Sequence, residues 1–81
     1  MDAKQVNDEI RGLVDRWCER RELAALASLL PAWLYNDGLT TGWSDLAAAL
    51  RSTSTYRTLP DAEREQLKRL FVVVDLTLRQ R

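Results

Sequence analysis

The sequence contains no histidine and only one cysteine among its 81 residues. A general base that works near neutral pH is usually histidine, so acid–base catalysis would need a perturbed carboxylate or thiol. Cysteine and histidine clusters, which hold transition metals, are excluded, and the acidic residues show no calcium-loop spacing. A single cysteine also excludes an internal disulfide and gives no sign of secretion. We therefore expect no enzyme, no metal and no other cofactor.

The chain also has no excess of positive or negative charge, because twelve lysine and arginine residues balance twelve aspartate and glutamate residues. Proteins that bind nucleic acid need a basic face to attract the phosphate backbone, and no segment supplies one. Apolar runs such as Leu70–Val74 are far shorter than the roughly 20 residues of a membrane span. The first residues lack the basic and then apolar pattern of a signal peptide. We expect a cytoplasmic protein that binds neither nucleic acid nor membrane.

Glycine and proline are scarce as well, and most of the chain shows apolar residues at helical spacing. Four stripes of period 3.6 cover residues 3–20, about 22–30, about 41–51 and from about 60 onwards. The stripe changes direction near Arg20–Glu22, which predicts a corner with almost no loop. Pro31 predicts the end of the second helix, because the residue before a proline is pushed out of the α region. The pattern predicts an all-α fold, a small four-helix bundle forming one domain over residues 1–81.

Residues 31–43 lack clear helical periodicity, and Asn36-Asp37-Gly38 is a turn signal. We expect a structured aromatic and glycine-containing loop between the second and third helices. Thr41 or Thr40 should cap the third helix, with Asp45 in its first turn. Aromatic side chains are frequent at binding hot spots. The loop is therefore predicted to bind a partner protein through Trp33, Tyr35, Asn36 and Asp37.

An alternative for this loop is that it plugs the end of the bundle. In that interpretation Trp33 belongs to the core together with Leu34, Leu39 and Trp43, and Tyr35 is hydrogen-bonded, whereas a binding loop would turn Tyr35 and Asn36 outwards. The core interpretation is favoured for Trp43, because it begins the apolar stripe of the third helix, and it is favoured for Trp33 as well.

The last helix offers a second candidate surface. Val72 and Leu76 lie opposite its main apolar stripe, and a helix that is apolar on two sides is normally buried on two sides. Either another helix of the same chain covers these residues, or a second copy does. We predict a homodimer contact through Val72 and Leu76.

Cys18 and the carboxylates are the remaining reactive side chains. Activation of a thiol usually needs a histidine or a helix N-terminus, and Cys18 lies near the end of its helix. We interpret it as a half-buried structural thiol. Carboxylate pairs such as Glu63 and Glu65 are expected to lie on solvated, charged helix faces.

One segment resembles a helix-turn-helix. The alanine-rich run Leu46–Leu50 is followed by Ser52–Tyr56, which is rich in serine and threonine like the start of a recognition helix. Against this, Arg51 stands where the turn usually has glycine, and Pro60 comes too early for a full second helix.

We interpret the chain as a small bacterial protein that acts without catalysis, as a protein–protein interaction module with an adaptor or regulatory role. The protein partner is unidentified. The alternative is a helix-turn-helix-like DNA-binding regulator, and a more distant one is a redox protein relying on Cys18. No motif in the sequence identifies a known family.

Overall fold

The computed structural model describes residues 3–35 and 40–79, within which the chain forms four α-helices and no strand. Helix α1 spans Ala3–Arg20, α2 spans Leu23–Leu34, α3 spans Thr40–Thr53 and α4 spans Asp61–Arg79. The helices pack in chain order, α1 against α2, α2 against α3 and α3 against α4. The expected all-α four-helix fold is confirmed.

One cluster of buried side chains joins all four helices. Its members are the apolar stripes that the spacing predicts, joined by Leu59 from the segment before α4. They are Val6, Ile10, Leu13, Val14 and Trp17 of α1, Ala25 and Leu29 of α2, Trp43, Leu46, Ala47 and Leu50 of α3, Leu59, and Leu67, Leu70 and Val74 of α4. The contribution of α2 is the smallest of the four helices, although its sequence is the most apolar.

The corner predicted at Arg20–Glu22 is confirmed and has the hydrogen bonds of a Schellman motif. Arg21 adopts the left-handed conformation, with φ of 57°. The Arg21 amide donates to the Cys18 carbonyl at 3.3 Å, and the Glu22 amide donates to the Trp17 carbonyl at 2.9 Å. Glycine usually occupies the left-handed position, and with arginine there the turn has no local signal in the sequence. Only the change in stripe direction predicted it.

The predicted end of the second helix before Pro31 is wrong, because α2 continues to Leu34. Proline cannot donate a hydrogen bond to the carbonyl of Ala27, but the helical pattern resumes after it, since the Tyr35 amide donates to the Pro31 carbonyl at 3.0 Å. Ala27 and Pro31 are both exposed, so water can reach the carbonyl that lacks a partner. Much of the expected loop is therefore helix.

The third helix also begins earlier than expected. It starts at Thr40, so Thr41 lies inside the helix and Asp45 in its second turn. At its other end, the Ser54 hydroxyl donates to the Arg51 carbonyl at 2.7 Å. The Thr55 hydroxyl donates likewise to the Ser52 carbonyl. This is the side-chain competition that ends helices in Ser/Thr-rich segments.

Glu63 joins the first turn of α4 to α1 through a buried carboxylate. It accepts the Trp17 indole N–H at 2.9 Å and two bonds from the Arg20 guanidinium at 2.7 and 2.9 Å. The Arg16 Nε lies 3.5 Å away. The expectation that Glu63 is solvated is wrong, because the packing of α1 against α4 surrounds it with donors. Glu65 is exposed, as predicted.

The bond from Arg20 is the main cause that lowers the pKa of Glu63 below its ordinary value. Burial opposes this effect, and the Trp17 bond and the nearby arginine charges reinforce it. The same pair raises the pKa of Arg20. The carboxylate is therefore ionised in the folded protein, where three hydrogen bonds and the charge of Arg16 compensate for its removal from water.

Replacing Glu63 by glutamine should destabilise the fold at neutral pH and matter less in acid. Glutamine keeps one acceptor for Trp17 but loses the charge that holds Arg20. A carboxyl with a lowered folded-state pKa stabilises the fold above its unfolded pKa of about 4.3. This contribution is lost as pH falls through the folded-state pKa. In urea titrations at neutral pH, the free energy of unfolding of the Glu63→Gln variant should be lower than that of the wild type by ~1–3 kcal/mol. This difference should shrink below about pH 4.

The matched control is Glu65→Gln, since Glu65 is exposed and pairs with the exposed Lys68 on its own helix. This change should alter the free energy of unfolding by less than ~0.5 kcal/mol. A loss at Glu63→Gln that does not depend on pH, or one equal to that of Glu65→Gln, would contradict the stabilising role of the carboxylate.

Alanine at position 31 should stabilise the protein. Pro31→Ala restores an N–H that can bond the Ala27 carbonyl and improves helix propensity, and Pro31 is exposed, so little packing is lost. The free energy of unfolding should rise by ~1–2 kcal/mol in a urea titration. A decrease would mean that proline stabilises more by restricting the unfolded chain than it costs inside the helix.

Candidate functional site

Helix α2 has no charged residue between Leu23 and Leu34, yet much of it is exposed. Its buried residues are Ala25 and Leu29. A helix that is apolar all round is normally buried all round. By contrast, the exposed sides of α1 and α4 carry many charged residues. The uncovered side of α2 is therefore the unusual surface of the described chain.

The exposed residues of α2, together with the residue that follows it, fall within an arc of about 120° at 100° per residue. Three of them are large: Leu23 is 69% exposed, Leu34 65% and Tyr35 84%. We call this surface the α2 face; it consists of Leu23, Ala24, Ala27, Pro31, Leu34 and Tyr35. Contiguous apolar surface of this kind marks interaction sites in soluble proteins.

A shallow groove of about 360 Å³ runs along the α2 face where α2 meets α3. Its lining is Ala27, Ser28, Pro31, Ala32 and Tyr35 from the α2 side, with Gly42 and Asp45 from α3. Asp45 is exposed and makes no ion pair with any residue that the structure describes. The groove is thus apolar, with a single free carboxylate at its edge.

Trp33 points away from the α2 face and towards α1. It is half-buried against the core, and its indole N–H donates to the Asn7 side-chain oxygen at 2.9 Å. On the α3 side, the Ser28 and Thr53 hydroxyls lie 3.0 Å apart. These contacts hold α2 in place between α1 and α3, and they favour the alternative in which Trp33 packs within the fold. The same alternative is wrong for Leu34, which is exposed because it lies on the side of α2 that faces neither α1 nor α3.

The other residues of the predicted loop divide as follows. Tyr35 is the most exposed large side chain described, in keeping with the expected outward position. Trp43 is buried, as its place in the apolar stripe predicts. Asn36 and Asp37 lie outside the described residues, so their predicted role stays a prediction. The signal that sequence reasoning missed is the absence of charge throughout Leu23–Leu34.

Val72 and Leu76 on α4 are 52% and 51% exposed, so no described helix of the chain covers them. Their predicted role in a homodimer stays a prediction. Unlike the α2 face, this pair is bordered on the same side of the helix by Glu65, Arg69 and Arg79, all exposed. The apolar surface there is limited to two residues.

Cys18 is exposed, so the expectation of a half-buried thiol is wrong. It lies at the edge of the α1 stripe, in the last turn of the helix, and no described helix covers it. Within residues 3–35 and 40–79, no three acidic or cysteine side chains come together as metal ligands. None of the described helices combines the length and apolar character that crossing a bilayer requires.

A second groove, between α3 and α4, is lined by Ala48, Arg51, Ser52, Thr55, Tyr56, Phe71 and Asp75. It is open and mixed in character, and Asp75 is already paired with Arg79 at 3.0 Å. Among its lining residues, all of them described, every buried side-chain nitrogen or oxygen has a hydrogen-bond partner. We assign no ligand to it.

The predicted helix-turn-helix does not have the expected geometry. Residues 52–56 contain the end of α3 followed by turns, and α4 begins only at Asp61. Asp61 and Glu63 occupy its first turn. Acidic residues at that end would repel the phosphates that a recognition helix approaches.

Comparisons of the chain with protein-family models, with curated proteins and with solved structures gave no match.

Trp43→Ala and Tyr35→Ala should separate core from surface in this region. Trp43 is 7% exposed, so its removal should cost ~3–5 kcal/mol of unfolding free energy. Tyr35 is solvated, so its removal should cost less than ~1 kcal/mol. Urea denaturation followed by circular dichroism measures both. A large loss for Tyr35→Ala would show that Tyr35 packs within the fold.

Proposed function

We propose that the chain is a small protein–protein interaction module, an adaptor or regulator without catalytic activity, and that the α2 face is its binding surface. The observation that carries the proposal is the exposure of Leu23, Leu34 and Tyr35 on a helix without charge. Burial of one such side chain by a partner is worth ~1.5–3 kcal/mol. Three of them on one face, with Tyr35 also lining the groove, therefore supply a useful share of a binding free energy.

The position of the face supports this proposal. Ala25 and Leu29 bury the opposite side of α2 in the core, and the Trp33–Asn7 bond holds its C-terminal end against α1. The exposed side chains are therefore presented on a backbone that is ordered before binding. Such preorganisation lowers the entropic cost of association. Tyr35 adds a large side chain with few rotatable bonds, a property typical of binding hot spots.

We further propose a cytoplasmic location. An exposed, unpaired Cys18 suits the reducing conditions of that compartment, in which free thiols persist.

The test is affinity capture from a lysate of the source organism by the tagged protein and by its Leu34→Glu variant. A charge within an apolar interface opposes binding, so the Leu34→Glu variant should capture each specific partner protein at least about tenfold less than the wild type, as measured by quantitative mass spectrometry. Leu34 is exposed, so the variant should remain folded by circular dichroism.

Leu76→Glu is the matched control, because it introduces the same charge at a similarly exposed leucine on α4. It should leave the captured proteins unchanged. Equal capture by the wild type and by Leu34→Glu would contradict the proposed role of the α2 face.

A further inference from the structure

We propose that the α2 face binds the α2 face of a second copy, with the two helices antiparallel in a symmetric dimer. The inference depends on the proposed function, since it names the partner of that surface. A two-fold axis brings the same patch of both subunits together, so the patch has to be complementary to itself. Three features of the α2 face meet this condition: its sequence symmetry, its distribution of large and small residues, and the charges at its two ends.

The residues of the face are arranged symmetrically about Leu29. Leu23 and Tyr35 are equally distant from Leu29 along the chain, and so are the pairs Ala24 and Leu34, and Ala27 and Pro31. An antiparallel pairing centred there therefore matches every residue of the face with another residue of the face. All six lie within the same 120° arc, so one contact can bury them together.

The sizes of the matched residues are complementary. Ala27 faces Pro31 of the second copy near the centre, where small side chains permit a close approach, at the short end of the usual interaxial distance of about 8–10 Å. Towards each end, Leu34 lies at the same level as the small Ala24 of the second copy, and Tyr35 lies at the same level as Leu23. The large residues thus lie at the ends of the contact, and the small ones lie where the helices come closest.

The exposed charged residues nearest the two ends are opposite in sign, and the half-buried Glu22 also lies at the N-terminal end. Asp45 lies beside Tyr35, at the C-terminal end of α2. Arg21 is exposed and lies just before Leu23, at the N-terminal end. The described residues provide no ion-pair partner for either side chain. Antiparallel pairing brings Asp45 of one copy towards Arg21 of the other, twice per dimer, and towards the positive end of the partner helix dipole.

Val72 and Leu76, the exposed pair on α4, are less suited to a symmetric contact. An antiparallel pairing centred on Val74 matches Val72 with Leu76, but it also matches Arg69 with Arg79. Like charges that face each other across an interface oppose association. The α2 face contains no charged residue and avoids this cost.

The extent of the surface predicts the strength of the dimer. A helix of 12 residues is about 18 Å long at 1.5 Å per residue. A contact of that length and one helix wide is at the small end of stable interfaces. We therefore expect a dissociation constant on the order of 10 µM, which lies within reach of sedimentation measurements.

Sedimentation equilibrium of the full chain at loading concentrations from about 1 to about 500 µM tests the dimer. We expect a monomer–dimer equilibrium that Leu34→Glu weakens at least about tenfold. Leu76→Glu, as the matched control on α4, should leave it unchanged. A monomer at every concentration overturns the inference, and so does a dimer that Leu76→Glu dissociates and Leu34→Glu does not.

A charge exchange tests the antiparallel arrangement. Asp45→Arg and Arg21→Asp should each weaken the dimer about three- to tenfold, and the double variant should recover most of the loss. Aspartate is among the residues that tolerate the left-handed conformation of position 21, so the fold should persist. No recovery in the double variant overturns the proposed pairing of these ends.

The two proposals fail in distinguishable ways. If the protein is a monomer while Leu34→Glu still abolishes capture of another protein, the α2 face is a binding surface whose partner is not a second copy. If neither self-association nor capture depends on Leu34, both proposals are wrong.

Discussion

The buried carboxylate of Glu63 is the interaction on which the arrangement of the first and last helices depends. Successive helices pack through their apolar stripes, whereas α1 and α4 are far apart in the chain and share the polar bonds of Glu63 with Trp17 and Arg20. A charge at this depth is tolerated because both of its oxygens have donors. The indole N–H of Trp17, a fully buried side chain, is satisfied by the same carboxylate.

The order of packing explains why one side of α2 is left uncovered. The helix lies between α1 and α3, and its side chains contact them through Trp33 and Ser28. Helix α4 packs mainly on α3 and is held to α1 by Glu63, so none of the four described helices reaches the remaining side of α2. Apolar side chains on that side stay in water at a free-energy cost, which is the physical reason for seeking a partner there.

The secondary structure was largely predictable from local spacing. The five buried residues of α1 repeat with a period of 3.6, and the change of stripe direction after Trp17 predicted the corner even though Arg21 is not glycine.

The candidate site was predictable only in part. Tyr35 was identified as an outward aromatic residue, but the uncharged stretch that presents it was mistaken for a short helix and a loop. Pro31 is the source of this error. The bias of the residue before a proline against helix is real, but it is weak compared with the packing and hydrogen bond of Trp33, which hold the last turn of α2 against α1.

The sequence by itself determined that the chain forms helices, where most of them lie and which stripes enter the core, since these follow from the periodicity of apolar residues. Only the tertiary structure decided that Glu63 is buried and ionised and that Trp33 is bound to α1. It also decided which side of α2 remains open. Each of these depends on groups that come from distant parts of the chain, and the spacing within one helix carries no information about them.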